Sequence, residues 1–451
     1  MSANSESSHT GFLAAPKLSI GVKSNAPRKS RRSPTADPAK SSAGIIETEQ
    51  KYCAPNYLPL PVTLVRGKGV YLWDQDDKRY LDMMSAYSAV SHGHCNPRLV
   101  AALTRQAEQL TIVSRAFHTD KLAPFAEKLC ALTGFDKMLP MNTGAEAVET
   151  AIKAARHWGY KKKHIPGGLA EIIVAEGNFH GRTTTIVGFS SEVEYRAGFG
   201  PFTPGFKLVP FGDANAFRGA ITPSTCAILV EPIQGESGIR IPPEGWLREV
   251  RAICDENNVL LILDEIQTGL GRTGEMFCFE HEGIRPDGLI LGKALGGGMM
   301  PVSAFLADDE IMELFQPGSH GSTFGGNPLA AAVALEALQI LLDDDLVANS
   351  HRLGAYMLSR LQKFRTPLIT DLRGRGLFIG IEFDPEMVSA REVCERLMTR
   401  GVLSKETHKT VVRFAPPLVI EQDQIDQALE TFSEVLAEIA ADRSVTFTVE
   451  S

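Results

Sequence analysis

The sequence predicts an α/β fold in which a mostly parallel sheet forms a large domain and a smaller α/β domain is built from both ends of the chain. Short apolar runs alternate with segments of helical spacing through the middle of the chain, which is typical of parallel strands joined by helices. Residues 260–263 are apolar without alternation, as expected of a strand covered on both faces. A chain of 451 residues is long enough for a large core and a second, smaller one.

Four regions are expected along the chain. Residues 1–43 form a basic tail, 44–95 the N-terminal segment of the small domain, 96–344 the large domain and 345–451 the C-terminal part of the small domain. A glycine-containing turn at residues 67–69 predicts a hairpin in the N-terminal segment. Apolar spacing then predicts helices at 97–110, 121–132, 390–400 and 422–440, and strands at 172–174, 229–230, 260–263, 289–291, 302–306, 376–383 and 411–414.

The tail carries seven basic and two acidic residues, is rich in Ser, Pro and Ala, and has no apolar periodicity. Such a segment cannot bury a core and is expected to be disordered. An organelle transit peptide, which would imply the mitochondrial matrix, is the alternative, because the tail is Arg- and Ser-rich and poor in acids. The basic residues show no amphipathic spacing, which favours a solvated tail and a cytoplasmic protein.

Composition excludes several classes of protein. A net charge of −8 argues against a general nucleic-acid-binding surface, and no apolar run is long enough for a transmembrane helix. The seven cysteines are scattered and never spaced C-x-x-C, which indicates free thiols in a reducing compartment. His92, His94 and Cys95 lack the further ligands that a metal site needs, so no metal is predicted.

Two charged residues follow neighbouring predicted strands. Asp264 ends the run at 260–263, and Lys293 follows the run at 289–291. Because open α/β sheets bind ligands at the carboxyl ends of their strands, both side chains are expected at one ligand site, with Arg182 and Glu236 from other strand ends. A desolvated lysine gains nucleophilic character, and an aspartate opposite it suits a protonated pyridine nitrogen. The alternative is a solvated lysine and an aspartate that caps the next turn.

A capping box predicts a helix that begins after Thr143. Thr143 is followed three residues later by Glu146, and apolar spacing continues beyond it. The Thr-Gly opening lets backbone N–H groups approach an anion, so this helix start is a candidate phosphate site. Most capping boxes hold no ligand, so the signal is weak by itself.

Ten motifs follow one another between Tyr52 and the last predicted helix. They read NYLPLPV, RGKGVYLWD, SAYSAVSHGHC, MNTGAEA, GNFHGRT, EPIQGE, LDEIQTGLGRTG, LGKALGGG, GSTFGGNP and VVRFAPPLVI. In these motifs and their order the chain resembles the class-III pyridoxal-phosphate aminotransferases. The resemblance implies fold type I of the pyridoxal-phosphate (PLP) dependent transferases, pyridoxal 5'-phosphate as cofactor, and a homodimer or higher oligomer with a shared active site.

The resemblance also assigns cofactor-binding residues. Lys293 would hold the cofactor covalently and later move a proton, and Asp264 would keep the ring nitrogen protonated. The remaining expected contacts are Gln267 to the ring hydroxyl, Phe179 and Ile266 on the two ring faces, Gly144 and Ala145 at the phosphate, and Thr323 at the phosphate from a neighbouring subunit.

Within the family, the chain resembles the ornithine aminotransferases. That similarity implies that Tyr57, Tyr87 and Arg182 hold the α-amino-acid end of ornithine, that Arg413 binds a carboxylate of 2-oxoglutarate, and that Glu236 covers Arg413 during the first half-reaction. His180 departs from the tryptophan of some ornithine aminotransferases, and histidine is common there in enzymes acting on acetylornithine or 4-aminobutyrate.

Several other functions stay open on the sequence alone. They are a related ω-aminotransferase for acetylornithine, 4-aminobutyrate or lysine, an aminomutase or decarboxylase on the same fold, and a cofactor-free scaffold. Tyr57 and Tyr87 could also be buried aromatics, and Glu236 and Arg413 an ordinary ion pair.

Overall fold

The computed structural model describes residues 41–450, so nearly all of the predicted tail lies outside the described residues. The chain divides into two units between Asn56 and Tyr57. The described part of the first unit contains helix α1, Ser42–Tyr52, which begins at the N-cap Ser41 and buries no residue. This helix was not predicted, because a helix without a buried face leaves no apolar period in the sequence.

The second unit contains the remaining elements. Its helices are α2 Ser85–Ser88, α3 Pro97–Ala107, α4 Leu122–Thr133, α5 Gly144–Lys161, α6 Thr184–Gly188, α7 Val193–Arg196, α8 Ala214–Ala220, α9 Trp246–Asn257, α10 Asp309–Met312, α11 Pro328–Asp343, α12 Leu346–Leu361, α13 Ala390–Thr399 and α14 Gln422–Asp442. Its strands are β1 Leu64–Lys68, β2 Tyr71–Asp74, β3 Arg79–Asp82, β4 Lys137–Met141, β5 Glu171–Ala175, β6 Phe206–Val209, β7 Thr225–Val230, β8 Leu260–Asp264, β9 Gly288–Leu291, β10 Ser303–Ala307, β11 Phe364–Arg365, β12 Ile369–Arg375, β13 Phe378–Phe383, β14 Val402–Leu403, β15 Lys405–Thr407, β16 Val411–Phe414 and β17 Thr448–Val449. No helix within residues 41–450 has the length and apolar character that a membrane span requires.

A seven-stranded sheet forms the centre of this unit, with the strand order β4-β10-β9-β8-β7-β5-β6. The five strands β9, β8, β7, β5 and β6 are parallel to one another. Strand β10 is antiparallel to both of its neighbours, β9 and β4. The prediction of an α/β fold with a mostly parallel sheet is therefore confirmed.

Both faces of the central sheet are buried. On β8, Leu261 and Leu263 belong to one apolar cluster, whereas Leu260 and Ile262 belong to another. Helix α5 contributes to the second cluster and α11 to the first. This double cover explains the absence of alternation in the strand sequences, and it leaves the strand ends as the place where polar side chains can meet a ligand.

Two four-stranded sheets are built from the N- and C-terminal parts of the unit. The hairpin strands β1, β2 and β3 are extended by β14, which pairs in parallel with β3. A second four-stranded sheet has the order β12-β13-β16-β15. The pairing of β3 with β14 is the arrangement expected if N- and C-terminal segments build one small domain; the domain boundaries themselves stay a prediction.

The turn α2 is left-handed although it contains no glycine. The φ angles of Ser85, Ala86, Tyr87 and Ser88 are 46°, 48°, 60° and 71°. For residues with a Cβ this conformation costs about 1–2 kcal/mol each. Asp82 stabilises the entrance, because its Oδ1 accepts hydrogen bonds from the backbone N–H groups of Met84 and Ser85, both at 2.9 Å.

Candidate active site

A cavity of ≈ 210 Å³ lies at the carboxyl-terminal edge of the central sheet. The strands β7, β8 and β9 end here, next to the N-terminus of α5. The lining residues are Gly144, Ala145, Phe179, His180, Gly181, Glu231, Ile233, Glu236, Asp264, Ile266, Gln267, Thr268 and Lys293. The sheet therefore brings one amine, three carboxylates and a helix N-terminus to a single site, as parallel strand ends do.

Lys293 follows β9 in a left-handed conformation, with φ 45°. Burial lowers the pKa of its amine below the ordinary value, although the charges of Glu236 and Asp264 act in the opposite direction. A lowered pKa increases the share of the neutral, nucleophilic amine at neutral pH.

Asp264 ends β8, and two hydrogen bonds fix its carboxylate. Ile266 N donates to Oδ1 at 3.0 Å, and His180 Nδ1 donates to Oδ2 at 2.7 Å. The His180 side chain is 0% exposed. Burial lowers the pKa of His180 and the pairing with Asp264 raises it, and the net direction is upward. The carboxylate is thus held at the cavity wall by a charge-assisted hydrogen bond.

Glu231 is a second buried carboxyl, located just after β7. It is 7% exposed, and its Oε2 accepts a hydrogen bond from Phe179 N at 2.9 Å. Burial raises its pKa to about 8, with the nearby Asp264 acting in the same direction and His180 against it. At neutral pH this carboxyl is therefore mostly protonated, and it holds the backbone of the loop that carries Phe179.

The walls of the cavity leave room for a flat group with an anion at one end. Phe179 and Ile266 both line it. At the start of α5, Gly144 packs closely on Ile266, and a Cβ at position 144 would lie 2.8 Å from Ile266 Cδ1 and displace that side chain. The capping box of Thr143 and Glu146 is formed as predicted, and the free N–H groups of the first turn make an anion site.

Glu236 and Arg413 form an ion pair at the cavity. Arg413 Nη1 donates to Glu236 Oε1 at 2.8 Å, and the Arg413 side chain is 4% exposed. Gln267 Nε2 donates to the same carboxylate at 3.4 Å and to the Tyr87 carbonyl at 3.3 Å. Burial raises the pKa of Glu236, the Arg413 and Lys293 charges lower it, and the net direction is downward. The positive charge of Arg413 is therefore neutralised in this structure.

Tyr87 and Arg182 lie beside these groups. The Arg413 guanidinium sits 4.9 Å from the centre of the Tyr87 ring. Arg182 lies 3.6 Å from the ring centre of Tyr195 and 5.4 Å from that of Phe179. Among residues 41–450, no carboxylate forms an ion pair with Arg182, in contrast to Arg413.

Five predicted site residues do not line the cavity, and they are Tyr57, Tyr87, Arg182, Arg413 and Thr323. Tyr57 is 74% exposed, although its hydroxyl is close enough to contribute to the raised pKa of Tyr87, of which burial is the main cause. Thr323 is exposed and does not line the cavity. Their assigned roles stay predictions, as do those of the predicted residues that the cavity brings together.

Other cavity residues were not singled out from the sequence. His180 was noted only as a departure from some relatives, and its bond to Asp264 joins residues that are 84 positions apart. Tyr195, which stacks on Arg182, lies in the short helix α7 with no chemical motif around it. A sequence signal exists only for Glu231, which follows an apolar strand as Asp264 does.

The histidines near residue 93 are occupied elsewhere. His92 Nε2 donates to the Ala337 carbonyl at 2.9 Å, and His94 Nε2 to Asp82 Oδ2 at 2.7 Å. In the described part of the chain no group of three or more His, Cys, Asp or Glu residues is arranged to hold a metal ion.

Comparison with known proteins agrees with this site. Residues 52–436 match the family model Aminotransferase class-III. An ornithine aminotransferase from Halalkalibacterium halodurans is 55% identical over 396 residues, which are 88% of this chain and 99% of that protein. The ornithine aminotransferase structure from Toxoplasma gondii superposes with a TM-score of 0.89 at 42% identity, covering 90% of this chain and 96% of that one. An acetylornithine aminotransferase structure from Elizabethkingia anophelis has a TM-score of 0.80 and 44% identity, covering 88% and 99%. With the family model spanning most of its length, this chain belongs to the class-III aminotransferases.

Proposed function

We propose that this protein transfers the δ-amino group of L-ornithine to 2-oxoglutarate, forming glutamate and glutamate 5-semialdehyde, which cyclises to pyrroline-5-carboxylate. The observation that carries the proposal is a pair of unlike arginines next to the cavity that Lys293 lines. Arg413 is neutralised by Glu236, whereas Arg182, beside Phe179, has no acidic partner among residues 41–450. Ornithine presents one carboxylate and 2-oxoglutarate presents two, so the two substrates need different numbers of free cations. The similarity to proteins called ornithine aminotransferases supports the same substrate.

The cavity fits pyridoxal 5'-phosphate, the cofactor of the family. The cavity offers an amine for the aldehyde of the cofactor and a hydrogen-bonded carboxylate for its ring nitrogen. It also offers an aromatic wall for the ring face and a helix N-terminus for the phosphate. When bound, the cofactor supplies an electron sink for the bond electrons of the substrate carbon. Gly144 and Ala145 would hold the phosphate and Gln267 the ring hydroxyl.

Lys293 performs the proton work in this scheme. Its Nζ would hold the cofactor at rest, and once free the amine would take the proton from the substrate carbon. The lowered pKa of Lys293 suits both roles, because a protonated amine could neither attach nor accept a proton. Asp264, held by His180 Nδ1 at 2.7 Å, would hold the ring nitrogen of the cofactor in its protonated form.

Arg182 would orient ornithine in the first half-reaction. Its charge is unpaired by any described carboxylate, and its guanidinium is kept in place by the ring of Tyr195. The α-carboxylate of ornithine would bind Arg182, with Tyr57 and Tyr87 around the α-amino-acid end. This places the δ-amine, at the other end of the molecule, toward Lys293.

Arg413 would act in the second half-reaction. With ornithine bound, Glu236 covers Arg413, so the ornithine carboxylate gains nothing by binding there. A dicarboxylate such as 2-oxoglutarate competes with Glu236 for Arg413 and binds the two arginines together, because arginine forms strong bidentate pairs with carboxylates.

A homodimer is part of the proposal. Thr323 is exposed and away from the lining of its own cavity, as expected of a residue that contacts the phosphate in a second copy. We further propose that the protein works in the cytoplasm; a mitochondrial matrix location would require the tail to act as a transit peptide. Size measurement in solution tests the dimer.

Acetylornithine is the second candidate donor. It is favoured by the 44% identity to an acetylornithine aminotransferase and by histidine at position 180. The structure reduces the weight of His180, because its side chain is fully buried and its Nδ1 is bonded to Asp264, which gives this histidine a role independent of the donor.

The half-reaction test separates these donors. The PLP-loaded enzyme is mixed with ornithine, acetylornithine, 4-aminobutyrate or lysine without a keto acid, and the loss of the cofactor's visible absorbance is followed. Ornithine is expected to react fastest by a wide margin. If another donor reacts faster, the class of enzyme stands but the substrate is wrong; a protein that takes up no pyridoxal phosphate would contradict the enzyme assignment.

A further inference from the structure

The left-handed turn Ser85–Ser88 places Tyr87 against Arg413, and nothing in the turn's own sequence explains its shape. None of its residues is glycine, and all have positive φ. A strained turn persists only when surrounding groups hold it. The side chain that holds both of its ends belongs to Arg272, in the loop after β8.

One nitrogen of Arg272 contacts both ends of the turn. Arg272 Nη2 lies 3.4 Å from Ser85 Oγ, at the first residue, and donates to Ser91 Oγ at 3.0 Å. Ser91 Oγ in turn donates to the carbonyl of Ser88, the last residue, at 3.2 Å.

The second terminal nitrogen of Arg272, Nη1, binds the segment that follows Arg413 and the residue before β13. Arg272 Nη1 donates to the carbonyls of Pro416 at 2.6 Å and Leu377 at 2.9 Å. Ser85 Oγ completes the connection by donating to the Ala415 carbonyl at 2.6 Å. A single guanidinium thus joins the turn that carries Tyr87 to the end of the strand that carries Arg413.

Arg272 is an unusual choice for a purely structural link. Its side chain is completely buried, and each of its hydrogen-bond acceptors among residues 41–450 is a neutral oxygen. Burial lowers its pKa to about 9, which reflects the cost of a buried charge without a paired acid. The planar fork of arginine is the one side chain that reaches several acceptors in fixed directions.

We propose that Arg272 is a positioning residue for donor selection, which holds the turn Ser85–Ser88 in its left-handed form so that Tyr87 stays in register with Arg413. The proposal rests on the proposed function, in which Tyr87 contacts the donor. Without the hydrogen bonds of Arg272, the turn relaxes toward right-handed conformations and moves Tyr87 away from the cavity. The half-reaction rate constants of the different donors then become more similar.

The decisive variant is Ser91→Ala, with Ser350→Ala as its matched control. Both serines are fully buried, and both hydroxyls hydrogen-bond at Arg272. Ser91 relays Arg272 to the turn, whereas Ser350 Oγ donates to the Arg272 backbone carbonyl at 3.1 Å and accepts from Leu377 N at 3.2 Å. A purely structural role predicts similar effects of the two substitutions.

Two readouts on the PLP-loaded enzyme test the proposal. The first is the ratio of the largest to the smallest half-reaction rate constant among ornithine, acetylornithine, 4-aminobutyrate and lysine, which is called the spread below. The second is hydrogen exchange of peptides covering residues 84–91. Ser91→Ala is expected to narrow the spread about tenfold and to speed exchange there about tenfold, as loss of one buried hydrogen bond does. Ser350→Ala is expected to change both less than about twofold, even if it lowers the melting temperature equally.

A rescue variant distinguishes shape from stability. Ala86→Gly in the Ser91→Ala background removes the Cβ that disfavours φ 48° and is expected to restore most of the spread. Arg272→Lys, which keeps the charge but loses the fork, is expected to narrow the spread further.

The outcomes separate this inference from the proposed function. The donor order of the unaltered enzyme tests ornithine, whereas narrowing of the spread tests Arg272 whichever donor is fastest. An unchanged spread and unchanged exchange in Ser91→Ala, or equal changes in Ser350→Ala, would overturn the role of Arg272. If Arg272→Lys does not fold, the serine pair still decides.

Discussion

Replacing Glu236 by glutamine should make the enzyme confuse the two ends of ornithine. Glutamine keeps the size of the side chain and an oxygen that accepts a hydrogen bond, but it removes the charge that neutralises Arg413 at 2.8 Å. Arg413 then attracts any carboxylate, including that of ornithine. Ornithine bound in this way presents its α-amine to Lys293 in place of its δ-amine.

The size of the effect follows from the pair. A charge-assisted hydrogen bond contributes about 1.5–3 kcal/mol, and the lower end applies because the Glu236 side chain is 23% exposed and partly screened. Since about 1.4 kcal/mol corresponds to tenfold, kcat/KM for ornithine should fall roughly tenfold. The keto acid should bind more tightly by a similar factor, because it no longer displaces a carboxylate, and its Michaelis constant should fall accordingly.

Rapid-mixing half-reactions in both directions measure these two changes, and mass spectrometry of the products separates δ- from α-amino transfer. Glu382→Gln is the matched control, because Glu382 pairs with Arg373 at 2.6 Å on the sheet that also carries Arg413. Glu382→Gln should change neither kcat/KM for ornithine nor the Michaelis constant of the keto acid. If Glu236→Gln leaves both constants and the product unaltered, Glu236 does not control access to Arg413, and the reasoning is refuted.

Three further predictions concern the same cavity. Lys293→Ala should abolish turnover by removing the amine while leaving a folded protein, as checked by circular dichroism; substantial residual transamination would refute its role. Tyr87→Ile should lower kcat/KM for ornithine about tenfold and favour 4-aminobutyrate, because a contact to the α-amino-acid end is lost; equal relative values for the two donors would show that Tyr87 does not select. Glu231 has a folded-state pKa of about 8, above its ordinary 4.5, so its contribution to stability is present at low pH and is lost as the pH rises from 4.5 through about 8. Glu231→Gln should therefore remove part of the fall in melting temperature of the cofactor-free protein between pH 6 and 9, and parallel curves for the two proteins would contradict the raised pKa.

The elements that the sequence predicts well are those whose environment is uniform along their length. The strand β16 was predicted at Val411–Phe414, as observed, and α14 was predicted to begin at Gln422, where it does begin. Buried strands and amphipathic helices repeat one pattern over several residues, so the pattern survives local exceptions. Edge elements such as α1 and β6 carry no such pattern and were missed.

The active-site residues also divide into those that the sequence predicts and those that it does not. Lys293 and Asp264 were predictable because each follows an apolar run directly, and parallel strands place such ends side by side. The bond between His180 and Asp264 depends instead on how a loop folds over the sheet edge. The left-handed turn at Tyr87 is set by Arg272, about 180 residues away, and a sequence without glycine gives no signal for positive φ.

The distribution of charge in the cavity explains how one site can serve two substrates in turn. His180 pairs with Asp264 and Arg413 with Glu236, whereas Glu231 is mostly protonated and the pKa of Lys293 is lowered. The charged groups in and beside the cavity are therefore largely paired, apart from Arg182, which has no acidic partner among residues 41–450. In the proposed scheme, a monocarboxylate such as ornithine neutralises Arg182 and leaves the other pairs intact.

A dicarboxylate brings one more negative charge than Arg182 can neutralise, and in this scheme it is accommodated by separating Glu236 from Arg413. In the proposed scheme Glu236 then turns toward solvent, to which its side chain is already 23% exposed. In the proposed scheme, the number of carboxylates on the substrate thus decides which arginine is available.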